Sequence, residues 1–222
     1  MKIYFDGCSW TMGAELENPE KERFSKLLCN ELGAEETNLA IGGGSNDRII
    51  RNLLIEHNIE DYDLAIIQMT YPARTEYYDV HSTHAQNNWV RVNPKHSYST
   101  AMYEKIANFQ LKEGKFTERK AFWREYYTDI TNQEFFDNKE KIHFQTIKNH
   151  CEVKKVPLMI LTINQWTKTS AYQLNLPRKR DFTYHPYGHP TKETHRLIAD
   201  DLAAWTDPSR KPRILKKAVR RV

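Results

Sequence analysis

Two short stretches at opposite ends of the chain carry residue types used in nucleophilic catalysis. Ser9 lies in a glycine-flanked turn directly after the apolar residues 3–5. His189 lies between a glycine and a proline, close to the other end of the chain. A serine hydroxyl becomes a nucleophile when a base such as histidine takes its proton. The pair predicts acyl transfer, although the turn alone is more typical of a solvent-exposed serine.

Both stretches resemble the SGNH, or GDSL, hydrolases. Residues 5–13, Phe-Asp-Gly-Cys-Ser-Trp-Thr-Met-Gly, are similar to the first block of that family, Gly-Asp-Ser-x-Thr-x-Gly, with Cys8 in place of its aspartate. Residues 188–191 and the following His195-Arg-Leu-Ile-Ala resemble the fifth block, Asp-x-x-His-Pro-(Ser/Thr). The Gly-Cys-Ser-Trp-Thr variant looks like a divergent bacterial or bacteriophage branch. The resemblance implies that Ser9 is the nucleophile, that His189 is the base and that no cofactor is needed. His195 is expected to be a structural residue of the following helix.

The middle of the chain is similar to the blocks that form the oxyanion hole in this family. Residues 38–45, Asn-Leu-Ala-Ile-Gly-Gly-Gly-Ser, resemble Asn-x-Gly-x-x-Gly, which aligns Gly43 with the oxyanion-hole glycine. In the third block, Thr70 stands where the family has an asparagine. The resemblance therefore implies an oxyanion hole made of the backbone N–H groups of Ser9 and Gly43, helped by Thr70.

Some positions depart from the family or carry other expectations. Pro186 stands where the family has the aspartate that orients the histidine, so a backbone carbonyl or Asp181 is expected to hold His189. Arg74 and Asn46 are predicted to bind the substrate, Arg74 through an anionic group. A lone arginine is also typical of a surface ion pair.

The elements that must position these residues alternate between strands and helices. Apolar strands are predicted at residues 2–5, 36–40, 63–69 and 156–162, and each of the first three runs into a turn. Helices are predicted over 19–32, after the cap at Ser45 or Asn46, within 118–150 with a break near 131–132, and after Thr191, which is predicted to be the cap of its helix. Within 118–150, the apolar and aromatic residues are predicted to face the core, among them Phe122, Tyr127, Phe135, Phe136, Ile142 and Ile147. This pattern predicts an α/β fold with a doubly wound, mostly parallel sheet and flanking helices, the flavodoxin-like three-layer arrangement of SGNH proteins.

The chain is predicted to form one domain over residues 1–207 with a basic tail over 208–222. Residues 77–117 lose the alternating rhythm and are predicted to be an insertion, with a hairpin near residues 77–79 and 89–92. Its His81, His84 and His96 are potential metal ligands, but no paired carboxylate or cysteine accompanies them, so no metal site is predicted.

Composition limits the class of protein. Of the 222 residues, 39% are apolar and 28% are charged, which is typical of a soluble globular chain without a membrane-spanning segment. No secretion signal is recognisable, and three cysteines without metal-ligand spacing indicate reduced thiols, so we expect a cytoplasmic protein. The formal net charge of +4 minus the seven cations of the tail leaves −3 for residues 1–207. The tail favours a helix packed on the body over contact with nucleic acid or an anionic surface.

These features together predict a serine esterase, of the acetylesterase type, whose partner is a small acyl ester. Three alternatives stay open from the sequence. In the first alternative, the chain is an acyltransferase that passes the acyl group to an acceptor other than water. In the second, it is a ligand- or partner-binding protein that has lost catalytic activity. In the third alternative, Cys8 rather than Ser9 is the nucleophile.

Overall fold

A single parallel sheet organises the structure, a computed structural model in which residues 1–78, 89–92, 122–123, 125–162, 173–174, 182–186 and 188–206 are described. The strands are β1 (Lys2–Asp6), β2 (Glu35–Asn38), β3 (Leu64–Met69), β4 (Thr75–Tyr78), β5 (Trp89–Val92), β6 (Leu158–Thr162) and β7 (Gln173–Leu174). Five of them form the main sheet in the order β2-β1-β3-β6-β7, and each neighbouring pair is parallel. β4 and β5 form a separate antiparallel hairpin.

Helices connect the strands of the main sheet. They are α1 (Ser9–Met12), α2 (Pro19–Glu22), α3 (Phe24–Leu32), α4 (Asn46–Arg51), α5 (Gln133–Val153) and α6 (Lys192–Thr206). Single turns of wider or tighter helix occupy Asn52–Glu56, Ile59–Asp61 and Tyr126–Ile130. In the part of the chain that the structure describes, no helix is both long and apolar enough to cross a membrane.

Both faces of the sheet are covered because successive strand residues point to opposite sides. On one face, Ile3 and Phe5 of β1 pack with residues of α3 and α6. On the other face, Tyr4 packs with residues of α4 and α5. The central strand β3 is buried along its whole length, as expected for a strand covered on both sides. The doubly wound α/β fold predicted from the sequence is confirmed.

The strand order reverses at the centre of the sheet. From β1 the chain crosses to β2 on one side, and from β2 it returns to β3 on the other side of β1. In open α/β sheets a crevice forms at the carboxyl ends of the two strands that flank such a reversal. Here those strands are β1, which leads into Ser9, and β3, which leads into Thr70.

Three local features differ from the sequence predictions. The helix predicted over residues 19–32 is interrupted at Arg23, whose backbone is extended, and the Phe24 N–H at the start of α3 donates to the side chain of His195. β7 was not predicted. Phe122, Phe135 and Ile142, predicted to face the core, are exposed, whereas the same prediction is confirmed for residues Tyr127, Phe136 and Ile147.

The predicted hairpin near the start of the insertion is confirmed by β4 and β5. They pack with the Tyr126–Ile130 turn and the start of α5 in a small third cluster. The predicted break at 131–132 is also present, and Asn132 caps α5 by accepting from the Phe135 N–H at 2.8 Å. His81, His84, His96, Asp181 and the 208–222 tail lie outside the described residues.

Candidate active site

A buried carboxylate at the end of β1 holds the turn that carries Ser9. Asp6, the last residue of β1, is fully buried and accepts from the Gly7 N–H at 2.8 Å. Asn52 Nδ2 donates to the same carboxylate at 2.7 Å, and Arg48 Nη1 pairs with it at 3.0 Å. Burial raises the pKa of Asp6, while Arg48 opposes that rise. The end of β1 is therefore tied to α4.

The side chain of Gln68, from β3, forms hydrogen bonds with the same turn. Its Oε1 accepts from Thr11 Oγ1 at 2.7 Å, and its Nε2 lies 3.0 Å from Cys8 Sγ. The Cys8 thiol is buried by these contacts, and all three cysteines of the chain are free and buried. Ser9 is only half-buried, so it is more accessible than the buried Cys8.

The glycine-rich loop after β2 lies directly against the Ser9 turn. Ser45 Oγ caps α4 by accepting from the Arg48 N–H at 3.2 Å, as predicted. Gly43 has a φ of 71°, a conformation that favours glycine. A Cβ on Gly44 would lie 2.7 Å from the Gly7 carbonyl oxygen, so the two turns approach backbone to backbone. Among the described residues, neither the Ser9 N–H nor the Gly43 N–H donates a hydrogen bond.

Thr70 and Asn46 form a reciprocal pair at the end of β3. The Thr70 N–H donates to Asn46 Oδ1 at 2.8 Å, and Asn46 Nδ2 donates to the Thr70 carbonyl oxygen at 3.2 Å. Asn46 is fully buried, so its side chain braces the strand end and does not reach the surface. Thr70 Oγ1 is buried and has no hydrogen-bond partner in the described part of the chain. A buried hydroxyl left in this state costs about 1–3 kcal/mol.

Two arginines donate hydrogen bonds to carbonyl oxygens of the glycine-rich loop. Arg74 is buried, contacts the face of Tyr71, and its Nη1 donates to the Gly44 carbonyl oxygen at 3.4 Å. Arg91, from β5, donates to the Gly42 carbonyl oxygen. Arg91 lies close to Arg48, and burial together with that neighbouring positive charge lowers its pKa. Arg91 was not singled out in the sequence because nothing in the insertion marks it as a neighbour of this loop.

His189 is presented by a tight loop in front of α6. The His185 N–H donates to the His189 carbonyl oxygen and the Gly188 N–H donates to the His185 carbonyl oxygen, both at 2.8 Å. The Thr191 N–H donates to the Thr183 carbonyl oxygen at 3.1 Å, closing the base of the loop. Thr191 Oγ1 accepts from the Thr194 N–H at 3.5 Å, in agreement with its predicted role as the cap of α6.

A series of contacts joins the segment after β1 to the segment around His189. The Trp10 ring lies 5.6 Å from the Tyr184 ring. Further along both segments, Glu22 pairs with Lys192 at 2.7 Å, and the Phe24 N–H donates to His195 Nδ1 at 3.1 Å. Between these contacts, His189 Nδ1 makes a short hydrogen bond to Glu15 Oε2. The loops that carry Ser9 and His189 are therefore neighbours at one edge of the sheet.

Ser9 and His189 do not form a direct hydrogen bond in this structure. Within the described ranges, the contact of Ser9 Oγ is a weak hydrogen bond to Cys8 Sγ at 4.0 Å. Hydrogen bonds between a nucleophile and its base are often loose without substrate and tighten when it binds. The described residues also contain no cluster of three or more histidine, cysteine, aspartate or glutamate side chains suited to a metal ion.

His195, the second histidine of the resemblance, has a structural environment. It is fully buried, its ring stacks on Phe24 at 5.8 Å, and its Nδ1 accepts from the Phe24 N–H. Burial lowers the pKa of His195 to about 4. The ring is therefore neutral at neutral pH and joins α3 to α6, as the sequence predicted for a structural helix residue.

Comparison with known proteins finds similarity in structure alone. No protein-family model matches the sequence, and no curated protein matches it. Among solved structures, the chain is similar to the psychrotrophic esterase EstA from Pseudoalteromonas sp., with 14% identity, 90% of this chain and 93% of that chain covered, and a TM-score of 0.41. It is also similar to the lipase Lip_vut3 from a goat rumen metagenome, with 10% identity, 92% and 96% covered, and a TM-score of 0.49.

A third similar structure is a protein of the G-D-S-L family from Desulfitobacterium hafniense, with 12% identity. The match covers 90% of this chain and 95% of that chain, with a TM-score of 0.36. The identities and TM-scores are low, so a functional assignment depends on the residues of the site.

Proposed function

We propose that this chain is a serine hydrolase that cleaves a small acyl ester through Ser9 and His189. The observation that carries the proposal is the meeting of the Ser9 turn and the His189 loop beside the reversal of strand order. The two loops come from opposite ends of the chain. A ligand bound in the crevice at this edge would lie between them.

The reaction uses groups of the chain itself. Ser9 Oγ attacks the carbonyl carbon of the ester while its proton passes to His189 Nε2. The bond to the leaving alcohol then breaks, and the same proton passes from Nε2 to the alcohol oxygen. Water attacks the acylated serine with its proton going to Nε2, the bond between the acyl carbon and Oγ breaks, and the proton returns to Oγ.

The negative charge that develops on the carbonyl oxygen must be stabilised by hydrogen-bond donors that are not already bonded to another acceptor. The N–H groups of Ser9 and Gly43 meet this condition among the described residues. The orphaned Thr70 hydroxyl at the end of the neighbouring strand is the third proposed donor. Preorganised donors of this kind lower the barrier because they need no reorientation during the reaction.

Arg74 and Asn46 are proposed to act on the substrate through the loops they hold. The buried Arg74 guanidinium supports the carbonyl of Gly44, next to the proposed donor Gly43. Asn46 supports the backbone of Thr70, the proposed third donor. An anionic substrate group would approach this edge near the positive charges of Arg74 and Arg91.

A non-catalytic ligand-binding protein is the second candidate. It is favoured by the weak bond of Ser9 Oγ to Cys8 Sγ and the absence of a described hydrogen bond to His189. The acyltransferase alternative uses the same first step and differs in the acceptor that removes the acyl group.

Labelling with a fluorophosphonate probe, combined with turnover of p-nitrophenyl acetate, tests the proposal. We expect Ser9 to be labelled, and we expect Ser9→Ala and His189→Ala to lose labelling and turnover. Two neighbouring substitutions serve as matched controls: Cys8→Ala tests the thiol alternative, and His185→Ala alters a histidine of the same loop. Both controls should keep labelling of Ser9. A folded wild type that neither labels nor turns over ester would favour the binding protein.

A further inference from the structure

The short hydrogen bond between His189 and Glu15 joins two residues that are 174 positions apart in the chain. Their side chains are about equally half-buried, with 23% of His189 and 20% of Glu15 exposed. The contact lies between the ring contact of Trp10 with Tyr184 and the ion pair of Glu22 with Lys192. It is therefore embedded in a continuous interface between the two segments.

We propose that Glu15 is the positioning residue that orients His189 for its reaction with Ser9. This inference rests on the proposed serine hydrolase function. It also answers a question left by the sequence, because the position three residues before the histidine holds Pro186, which has no carboxylate and no N–H. The orienting acid thus comes from the segment that follows the nucleophile.

The atoms used in the contact determine the state of the ring. An ionised carboxylate only accepts hydrogen bonds, so His189 Nδ1 must carry the proton that is shared with Glu15 Oε2. In the neutral ring that acts as a base, the other ring nitrogen, Nε2, then carries no proton and can take the proton of Ser9. When it does, the Glu15 carboxylate stabilises the resulting imidazolium by its opposite charge and does not itself take a proton.

The backbone at Glu15 supports a specific role for this residue. Glu15 has a φ of 67°, the left-handed conformation that side chains other than glycine rarely adopt. It lies two residues after Gly13, which ends α1 with a φ of 84°, so two of three successive residues have a left-handed backbone. The buried Leu16 then anchors the segment in the core. Strained backbone of this kind persists where the surroundings hold it, and it is concentrated at functional sites.

Other carboxylates of the same segment have different partners. Glu20 pairs with Arg23, and Glu22 pairs with Lys192. Glu17 is exposed at the surface. In the described part of the segment, the carboxylate that contacts the proposed base is therefore Glu15, which leaves Glu17 as a matched control.

Kinetics of four proteins test the role of Glu15: the wild type, Glu15→Gln, Glu15→Asp and Glu17→Gln. We expect Glu15→Gln to lower kcat for p-nitrophenyl acetate by about 10²–10⁴-fold, because the amide keeps the shape but loses the charge and favours the wrong tautomer. KM should change little, since Glu15 is not expected to contact the ester. Glu15→Asp should recover part of the lost kcat, and Glu17→Gln should match the wild type.

A second measurement does not depend on esterase activity. In ¹H–¹⁵N spectra of the free protein that correlate the ring protons and nitrogens of His189, we expect a proton on Nδ1 in the wild type and in Glu17→Gln. The Glu15→Gln spectrum should instead report a changed tautomer. Such a change in a protein without esterase activity would support the positioning of His189 while the proposed function fails.

The inference is overturned if Glu15→Gln has the same kcat and the same His189 tautomer as the wild type. If the wild type hydrolyses p-nitrophenyl acetate in that case, the proposed hydrolase function still stands. It is also overturned if Asp181→Asn, which removes the other acid considered from the sequence, lowers kcat while Glu15→Gln does not. Melting curves of all variants separate a loss of fold from a loss of orientation.

Discussion

The two histidines near the start of α6 have different environments, although both were recognised from one sequence motif. His189 is half-buried and its Nδ1 meets a carboxylate, whereas His195 is fully buried and its Nδ1 meets a backbone N–H. A backbone N–H requires an unprotonated acceptor, so His195 has to stay neutral in the folded protein. The same residue type therefore has a proposed chemical role at one position and a packing role six residues later.

The neutral state of His195 makes the stability of the protein depend on pH. Its folded pKa of about 4 lies below the value of about 6.5 expected in the unfolded chain. As pH falls below about 6.5 the unfolded chain gains a proton that the folded chain does not, so the folded state loses stability until the pH reaches about 4. Between pH 7.5 and 5.0 we expect this residue to account for a loss of about 2 kcal/mol.

Urea unfolding of the wild type and of His195→Asn at both pH values measures this contribution. An asparagine oxygen can still accept from the Phe24 N–H but does not titrate in this range. The variant should be less stable at pH 7.5, because the stacking on Phe24 is lost, and its stability should change less between the two pH values. Equal pH dependence in both proteins would show that His195 does not titrate as described.

The sequence predicted Ser9 and His189 as residues of the candidate site but did not predict the contact between His189 and Glu15. Ser9 and His189 stand in short motifs of unusual composition, so the sequence alone draws attention to them. Glu15 is one of several glutamates between residues 15 and 36, and no local pattern separates it from Glu17 or Glu20. Its partner is 174 positions away, so only the folded chain reveals the pair.

The turns after β1 and β2 act as one unit because their backbones touch. A Cβ on Gly44 would lie 2.7 Å from the Gly7 carbonyl oxygen and 3.2 Å from that of Ile41, and backbone atoms cannot move aside cheaply. We expect Gly44→Ala to lower the free energy of unfolding by about 1–3 kcal/mol and to reduce ester turnover. Displacement of the loop would also move the proposed donor Gly43 relative to Ser9.

Gly42→Ala is the control for this prediction, since it lies in the same loop. The nearest atom to its added Cβ would be Met12 Cε at 3.8 Å, an ordinary contact distance. We expect its melting temperature and turnover to stay close to those of the wild type. If both alanine variants melt at the same temperature, the close approach of the two turns is not a constraint in solution.

The helices and strands were predictable where the apolar pattern is strong and local. β3 and β6 are apolar along most of their length, and the caps at Ser45 and Asn132 are hydrogen bonds to an N–H only three residues further along the chain. The interruption at Arg23 was not predictable, because the acceptor of the Phe24 N–H is a side chain 171 positions away. Ile142 follows the helical spacing of core residues, yet it is exposed because the sheet covers only one side of α5.

At the scale of the whole molecule, the two faces of the sheet depend on different parts of the chain. One face is closed by α3 and α6, so α6 completes the core begun by the first strand. The other face is closed by α4 and α5. The interface that brings His189 to the Ser9 turn is continuous with the first of these, so packing of α6 and assembly of the candidate site are linked.

The basic tail provides a test of where the core ends. Among the described residues, which extend to Thr206 at this end of the chain, the members of both large clusters lie between positions 3 and 205. The tail adds seven positive charges, whereas residues 1–207 carry a formal charge of −3. We expect a chain that ends at residue 207 to keep its melting temperature and its ester turnover but to lose retention on a cation-exchange resin at neutral pH. A melting temperature many degrees lower would instead mean that the tail is part of the core, because the loss of a few solvent-exposed charges changes stability little.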